Sequence, residues 1–237
     1  MAFAGRPVET DVTPGAWLAD ALHPSPGRVG SLVPPTFPAF ARVFHPAVRY
    51  AEDDDIDVTW AEVAAANGRT AHAAMQWASI TGSWEYHGED DQPGLWNDAP
   101  ADGHLPAPVA ARLAAVLARH TTTPDDCWFG VWSGFGFITA DAPTLALPGR
   151  EHWLVRGHIE LAAANMADEP HEQSASLWWP ADRAWCVATD IDLASTFVGG
   201  SVACIADVLA ADGLETAAVT ADCPVGRDTD RINPPPE

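Results

Sequence analysis

The sequence predicts an α+β fold in which helices pack on a mixed or antiparallel sheet. Helix-like and strand-like patterns are intermixed without a regular strand-helix-strand order, and the late strand-like segments follow one another as hairpin neighbours do. The chain has 237 residues, of which 47% are apolar. This is enough apolar surface for a substantial core, so we expect residues 1–237 to form a single α+β domain.

The N-terminal segment 1–50 is rich in proline, which excludes regular helix over much of its length. Residues 40–50 have the apolar and aromatic composition of a strand, interrupted at Pro46. Thr59, followed three residues later by Glu62, is a capping box. It predicts a helix that ends near the Asn-Gly pair at positions 67–68.

The middle of the chain combines one long loop with one clear helix. Residues 83–108 are polar and rich in Gly and Pro, and they are longer than the usual connection in a compact domain. Pro108 stands where the first turn of a helix over 108–120 would be, and the apolar positions of that segment share one face. Residues 70–80 are a candidate second short helix.

The second half is rich in strand signals, which are aromatic and β-branched residues bounded by Gly and Pro. The predicted strands cover residues 127–132, 135–139, 152–157, 184–191 and 214–222. A Ser-Gly-Phe-Gly turn at 133–136 would close a hairpin, and residues 177–180 are interpreted as a loop. Ser201 is the predicted cap of a helix over 202–213. The tail, residues 226–237, has no packing signal and is expected to be exposed.

The charge is strongly negative: 33 acidic residues against 12 basic ones, all Arg, give −21. Such a field repels phosphate backbones and anionic lipid surfaces, so nucleic acid and membranes are not expected as partners. No apolar run approaches the roughly 20 residues that span a bilayer. The four cysteines form no Cys-x-x-Cys pair and indicate neither a zinc site nor a disulfide framework. Together these features predict a cytoplasmic protein.

Asp190 and Asp192 are the first candidate site. At the end of a strand, residues two apart point to the same side, so the two carboxylates could bind a divalent cation together. Phosphatases of the haloacid dehalogenase type place a Thr next-but-one after such a pair and also use a Lys. Here Ser195 and Thr196 come too late, and the chain has no Lys. The alternative is a pair of polar residues that cap a turn; apart from this possible divalent cation, no cofactor is predicted.

Gly200 and Ser201 are a second candidate. Glycines before a helix start can let a ligand approach free backbone N–H groups. The alternative is an ordinary Gly-Gly turn followed by a Ser cap.

Tryptophan is the most individual feature, with 11 in the chain. Trp128 and Trp132 share a face of one predicted strand. They could form, with Trp178, Trp179 and Arg183, an aromatic-walled cleft that binds a ligand or partner. The alternative is a Trp-rich sheet face packed under a helix.

Four segments resemble an uncharacterised protein family of high-GC Gram-positive bacteria: LWWPADRAWCVATDIDLASTFVGGS, GSLVPPTFPAFARVFHPA, CWFGVWSGFGF and LPGREHWLVRG. The resemblance spans about residues 30 to 215. It implies a bacterial cytoplasmic protein built as one module. The family has no known activity, so the resemblance implies no catalytic residue.

Two functional hypotheses remain. The first is a non-catalytic binding or interaction protein, with an aromatic-lined cleft for a protein or a small molecule. The alternative is a metal-assisted hydrolase that uses Asp190 and Asp192, helped by Asp182 or by a loop histidine. Because the sequence motifs of known enzyme sites are missing, the first is favoured, and whether the chain is an enzyme stays undecided.

Overall fold

The structure, a computed structural model, describes residues 2–81 and 91–233. Its strands are β1 (Ala2–Phe3), β2 (Arg6–Pro7), β3 (Ala39–Phe44), β4 (Ala47–Arg49), β5 (Ile56–Val58), β6 (Cys127–Trp132), β7 (Leu145–Leu147), β8 (Arg150–Gly157), β9 (Leu177–Pro180), β10 (Trp185–Thr189), β11 (Ser195–Gly200) and β12 (Thr216–Val219). Its α-helices are α1 (Ala16–Ala21), α2 (Trp60–Ala66), α3 (Trp77–Thr81), α4 (Ala107–Leu117) and α5 (Val202–Leu209).

An eight-stranded sheet organises these elements, in the order β12-β3-β11-β10-β9-β6-β8-β7. Every neighbouring pair in it is antiparallel. The predicted α+β class is therefore confirmed. The turn between β10 and β11 carries the Asp-Ile-Asp sequence, so those carboxylates lie at the end of a central hairpin.

The two best-supported helix predictions are confirmed. Thr59 caps α2: its hydroxyl oxygen accepts from the Glu62 N–H at 3.2 Å, and the Glu62 carboxylate accepts from the Thr59 N–H at 2.8 Å. The helix ends at Ala66, and Asn67 is its C-cap, as expected. Pro108 lies in the first turn of α4, where it removes only an N–H that a helix start leaves unbonded anyway.

The predicted strand at 135–139 is wrong, and the Ser-Gly-Phe-Gly turn closes no hairpin. The partners of β6 are β8 and β9. After β6 the Trp132 indole folds over Gly134, where a Cβ atom would come within 2.1 Å of the ring. The ring of Phe135 then packs edge-on against Trp132 at 5.1 Å. The chain therefore leaves the sheet at this point instead of pairing.

The interpretation of residues 177–180 as a loop is also wrong, because they form β9 between β6 and β10. Similarly, Gly199 and Gly200 form the end of β11 and not a turn. A Cβ at 199 would lie 2.5 Å from the Val33 side chain, so glycine allows close packing there. Ser201 caps α5 as predicted, accepting from the Cys204 N–H at 3.1 Å.

The sheet has two differently covered faces. The helix face packs against α4 and α5, with a core that includes Val43, Phe129, Val155, Trp178, Trp185, Val187, Leu113 and Val208. The N-terminal face is covered by α1 and irregular segments, with a core that includes Phe40, Leu154, Leu177, Trp179, Phe197, Leu18, Val33 and Val225. A third cluster, around Trp60 and Trp96, packs β4, β5, α2 and α3 at one side.

The long loop and the tail agree only in part with expectation. Residues 83–90 of the predicted loop lie outside the described residues, and 91–106 contain neither a helix nor a named strand. The tail is not uniformly exposed, since Asp230 and Asn233 are buried. Asn233 Oδ1 accepts from the Thr70 N–H at 2.9 Å. Within the described ranges, no helix is long and apolar enough to cross a membrane.

Candidate functional site

A cavity of about 660 Å³ lies on the N-terminal face, beside the ends of β8 and β10. Half of its lining residues are aliphatic or proline, including Leu22, Pro24, Pro26, Leu32, Leu147, Leu177, Leu193 and Val225. Its polar residues include His23, Arg150, His152, Ser176, Asp190 and Asp192. Apolar walls with a few grouped polar side chains are the usual composition of a small-molecule site.

Arg150 holds both candidate carboxylates. Its Nε donates to Asp190 Oδ2 at 3.0 Å and its Nη2 donates to Asp190 Oδ1 at 3.0 Å. The same Nη2 donates to Asp192 Oδ2 at 2.8 Å. Burial opposes the charged guanidinium, but the hydrogen bonds and charges of the two carboxylates outweigh it and raise the pKa of Arg150. One guanidinium therefore faces two carboxylates, with a net charge of −1.

The two aspartates also shape the turn they stand in. Asp190 Oδ1 accepts from the Asp192 N–H at 3.1 Å, and the Asp190 carbonyl accepts from the Leu193 N–H at 3.1 Å. This is the turn-capping arrangement that the sequence left open as the alternative. The carboxylates do come together as expected, but around Arg150. Among the described residues, no group of three or more His, Cys, Asp or Glu side chains is placed to hold a metal ion.

His152 is the unsatisfied polar group of the cavity. It stands two residues from Arg150 on β8, so both side chains lie on the same face. It is 6% exposed, and its buried Nδ1 has no hydrogen-bond partner. Burial, together with the positive charge of Arg150, lowers its pKa to about 4. The ring is therefore uncharged at neutral pH and can both donate and accept one hydrogen bond.

The predicted tryptophan cleft is distributed over two faces. Trp128 and Trp179 belong to the core of the N-terminal face, and Trp178 to that of the helix face. Trp132 is half-buried beneath the Arg150 guanidinium, whose carbon is 5.1 Å from the ring centre. None of the tryptophans that the structure describes lines the cavity. Most tryptophans in the second half of the chain are therefore core residues that pack on one face of the sheet or the other.

The remaining predicted ligand-binding residues also lie away from the cavity lining. Arg183 is exposed with a φ of 55°, and its guanidinium carbon lies 5.3 Å from the Trp17 ring centre. Gly200 packs against Cys204, and Ser201 is the α5 cap. Of the nine candidates singled out in the sequence, only Asp190 and Asp192 line the cavity.

A second buried histidine lies near the same end of the sheet. His45 is fully buried, and burial lowers its pKa to about 4. Its Nδ1 is 2.8 Å from the Ala101 carbonyl oxygen, so a neutral ring donates there and accepts at Nε2. That Nε2 is 2.9 Å from the Thr196 hydroxyl, which is 2.7 Å from the Thr189 hydroxyl. Unlike His152, this ring has a partner at each nitrogen.

The segments that cover the cavity, around residues 22–32 and 221–226, were not predicted to meet, because they come from opposite ends of the chain. The Val29 N–H donates to the Cys223 carbonyl at 3.0 Å, and the Gly30 N–H donates to the Ala221 carbonyl at 2.8 Å. These bonds connect segments that are almost 200 residues apart in sequence. No periodic pattern in the sequence predicts such contacts. His152 did have a signal, because Arg150 and His152 alternate with the apolar Trp153 and Val155 along one strand.

Comparison with known proteins gives no match: no family model fits the chain, and no curated protein or solved structure is similar to it.

Proposed function

We propose that the protein is a non-catalytic binding protein that takes a small molecule into the cavity on the N-terminal face. The supporting observation is the cavity itself, which has a volume of about 660 Å³ and is lined by aliphatic residues together with several polar side chains. Its volume falls within the roughly 300–1,000 Å³ of typical ligand sites. The proposal keeps the binding role expected from the sequence and replaces the aromatic wall with leucines and prolines.

The polar groups support binding more than catalysis. Both oxygens of Asp190 and one oxygen of Asp192 accept hydrogen bonds from Arg150, so these carboxylates are engaged within the protein. No cysteine lines the cavity in the described part of the chain, and burial raises the thiol pKa of Cys127 to about 12 and that of Cys204 to about 11. The thiolate needed for nucleophilic attack is therefore suppressed at both.

A neutral hydrophobic fluorophore tests the proposal. N-phenyl-1-naphthylamine should fluoresce strongly when it enters the cavity of the intact protein. Leu193 is half-buried in the cavity wall, so Leu193→Trp should narrow the space and weaken binding at least about tenfold. Leu209→Trp makes the same change on α5, at a residue 36% exposed and outside the lining, and should bind as the original chain does.

Thermal unfolding of both variants checks that each is folded. Absence of probe binding to the original chain would contradict the proposal. Equal binding by folded Leu193→Trp and Leu209→Trp would contradict it as well, because the probe would then bind elsewhere.

A further inference from the structure

We infer that the cavity selects uncharged molecules, largely aliphatic, that carry a single hydrogen-bonding group, and that the His152 imidazole is the residue that receives this group. The inference rests on the proposed function, because it names the ligand class of the same cavity. It depends on two independent observations, the charge balance of the lining and the free imidazole.

The charge balance disfavours organic anions. Among the described residues that line the cavity, Arg150 is the single Arg, and it is bonded to both Asp190 and Asp192. The lining therefore has a net charge of −1 when both histidines are neutral, inside a chain of net charge −21. An incoming carboxylate would meet a guanidinium already neutralised, and an excess of negative charge around it.

The geometry also disfavours organic cations. Asp190, the more buried carboxylate with 15% of its side chain exposed, has both oxygens bonded to Arg150. Asp192 has 76% of its side chain exposed, so an ammonium beside it stays close to water and gains little. Deeper in the cavity, an ammonium would lose its hydration against leucine and proline side chains.

The His152 imidazole favours ligands that carry a hydrogen-bonding group. His152 is more than nine-tenths buried and lines the cavity, and its Nδ1, which is closed to solvent, has no hydrogen-bond partner among the described residues. A buried polar group without a partner lowers stability, so a ligand that provides the missing bond gains affinity from it. A neutral ring offers one donor and one acceptor, which suits a hydroxyl, an amide or a carbonyl.

A matched series of eight-carbon compounds tests the inference on the full chain at pH 7.5. 1-Octanol, octanoate and octylammonium differ only in the head group, and each is used to displace bound N-phenyl-1-naphthylamine. We expect octanol to displace the probe at concentrations at least about tenfold lower than either ion does, a ratio that corresponds to about 1.4 kcal/mol.

Two histidine variants test the residue. His152→Phe keeps a ring of similar size but removes the nitrogens, so octanol should bind about fivefold more weakly, the effect of one hydrogen bond. His171→Phe is the control, since His171 is exposed, stacks on Phe137 and lies outside the cavity lining. Octanol should bind to it unchanged. Binding of the probe itself and the thermal unfolding temperature show that each variant keeps the cavity and the fold.

Different outcomes would contradict the binding role of the cavity, the ligand class and the assignment of His152. If the probe does not bind to the original chain, the proposed function fails. If the probe binds but octanoate or octylammonium displaces it as well as octanol does, the ligand class is wrong. If octanol binds equally well to His152→Phe and His171→Phe, the assignment of His152 is wrong.

Discussion

The two faces of the sheet contain similar aromatic residues but are covered in different ways. The helix face is closed by α4 and α5, of 11 and eight residues. The N-terminal face is closed by α1, of six residues, and by irregular chain rich in proline. The cavity lies on the second face.

The difference follows from how each cover satisfies its backbone. A helix bonds its own N–H and C=O groups, so its apolar stripe can press on the sheet over its whole length. A segment without a long helix has to find partners elsewhere, as Val29 and Gly30, in a three-residue 3-10 helix, do on residues 221–223. Its position over the sheet is then set by those partners, and space remains beneath it. The cavity thus lies where the regular packing of helices on the sheet stops.

The first prediction compares leucine deletions on the two faces. Leu113 on α4 is fully buried in the helix-face core, and Leu113→Ala should lower the free energy of unfolding by about 3 kcal/mol. Leu147 lines the cavity and is half-buried, so Leu147→Ala should cost about 1 kcal/mol or less. Urea unfolding measures both values. Equal losses would mean that the cavity wall is as tightly packed as the helix face.

The second prediction uses the two buried histidines. Each has a folded-state pKa near 4, below the ordinary value of 6.5. Between these values the unfolded chain binds protons that the folded chain does not, so stability is complete above pH 6.5 and is lost as the pH falls. Between pH 6.5 and 5 we expect the free energy of unfolding to fall by roughly 1–2 kcal/mol for each histidine.

His152→Phe isolates the contribution of the cavity. It removes one histidine whose pKa is lowered by burial, so the pH dependence of urea unfolding between pH 6.5 and 5 should become less steep by the contribution of that one group. His45→Gln should reduce it similarly, but with an additional loss of stability at neutral pH, because His45 has bonded partners and His152 has none. An unchanged slope in His152→Phe would show that this ring is already protonated or is accessible to water.

The third prediction concerns the arginine that is bonded to both aspartates of the cavity turn. Arg150→Met leaves Asp190 without its two hydrogen bonds in a partly buried position, and should lower the free energy of unfolding by about 2 kcal/mol. Arg156→Met is the matched control on the same strand, since Arg156 forms a similar two-bond pair with Asp126 in a more exposed setting. Its effect should be clearly smaller. A larger loss for Arg156→Met would contradict the assignment.

Local chemistry explains which elements could be predicted. The Thr59–Glu62 box and Pro108 act within one helical turn, so their residues favour α2 and α4 locally. The distant Glu215 carboxylate adds to the cap of α2 by accepting from the Trp60 and Ala61 N–H groups, but the local signal was enough to predict the helix. The prediction of an element was wrong where residues far away in the sequence determine its structure. Gly199 is typical of a turn, yet it extends β11 by pairing with β10 and β3, and glycine is needed there because Val33 occupies the space that a side chain would fill.

For the site, the sequence determined which groups could come together and the tertiary structure determined what they do. The spacing of Asp190 and Asp192 places both carboxylates in one turn, and the alternation along β8 places Arg150 and His152 on one face. Only the pairing of β8 in the sheet brings Arg150 to the two aspartates, about 40 positions away in the chain. Only the meeting of the two chain ends builds the aliphatic cover. Contacts between residues far apart in sequence leave no periodic signal, because each depends on the packing of everything between them.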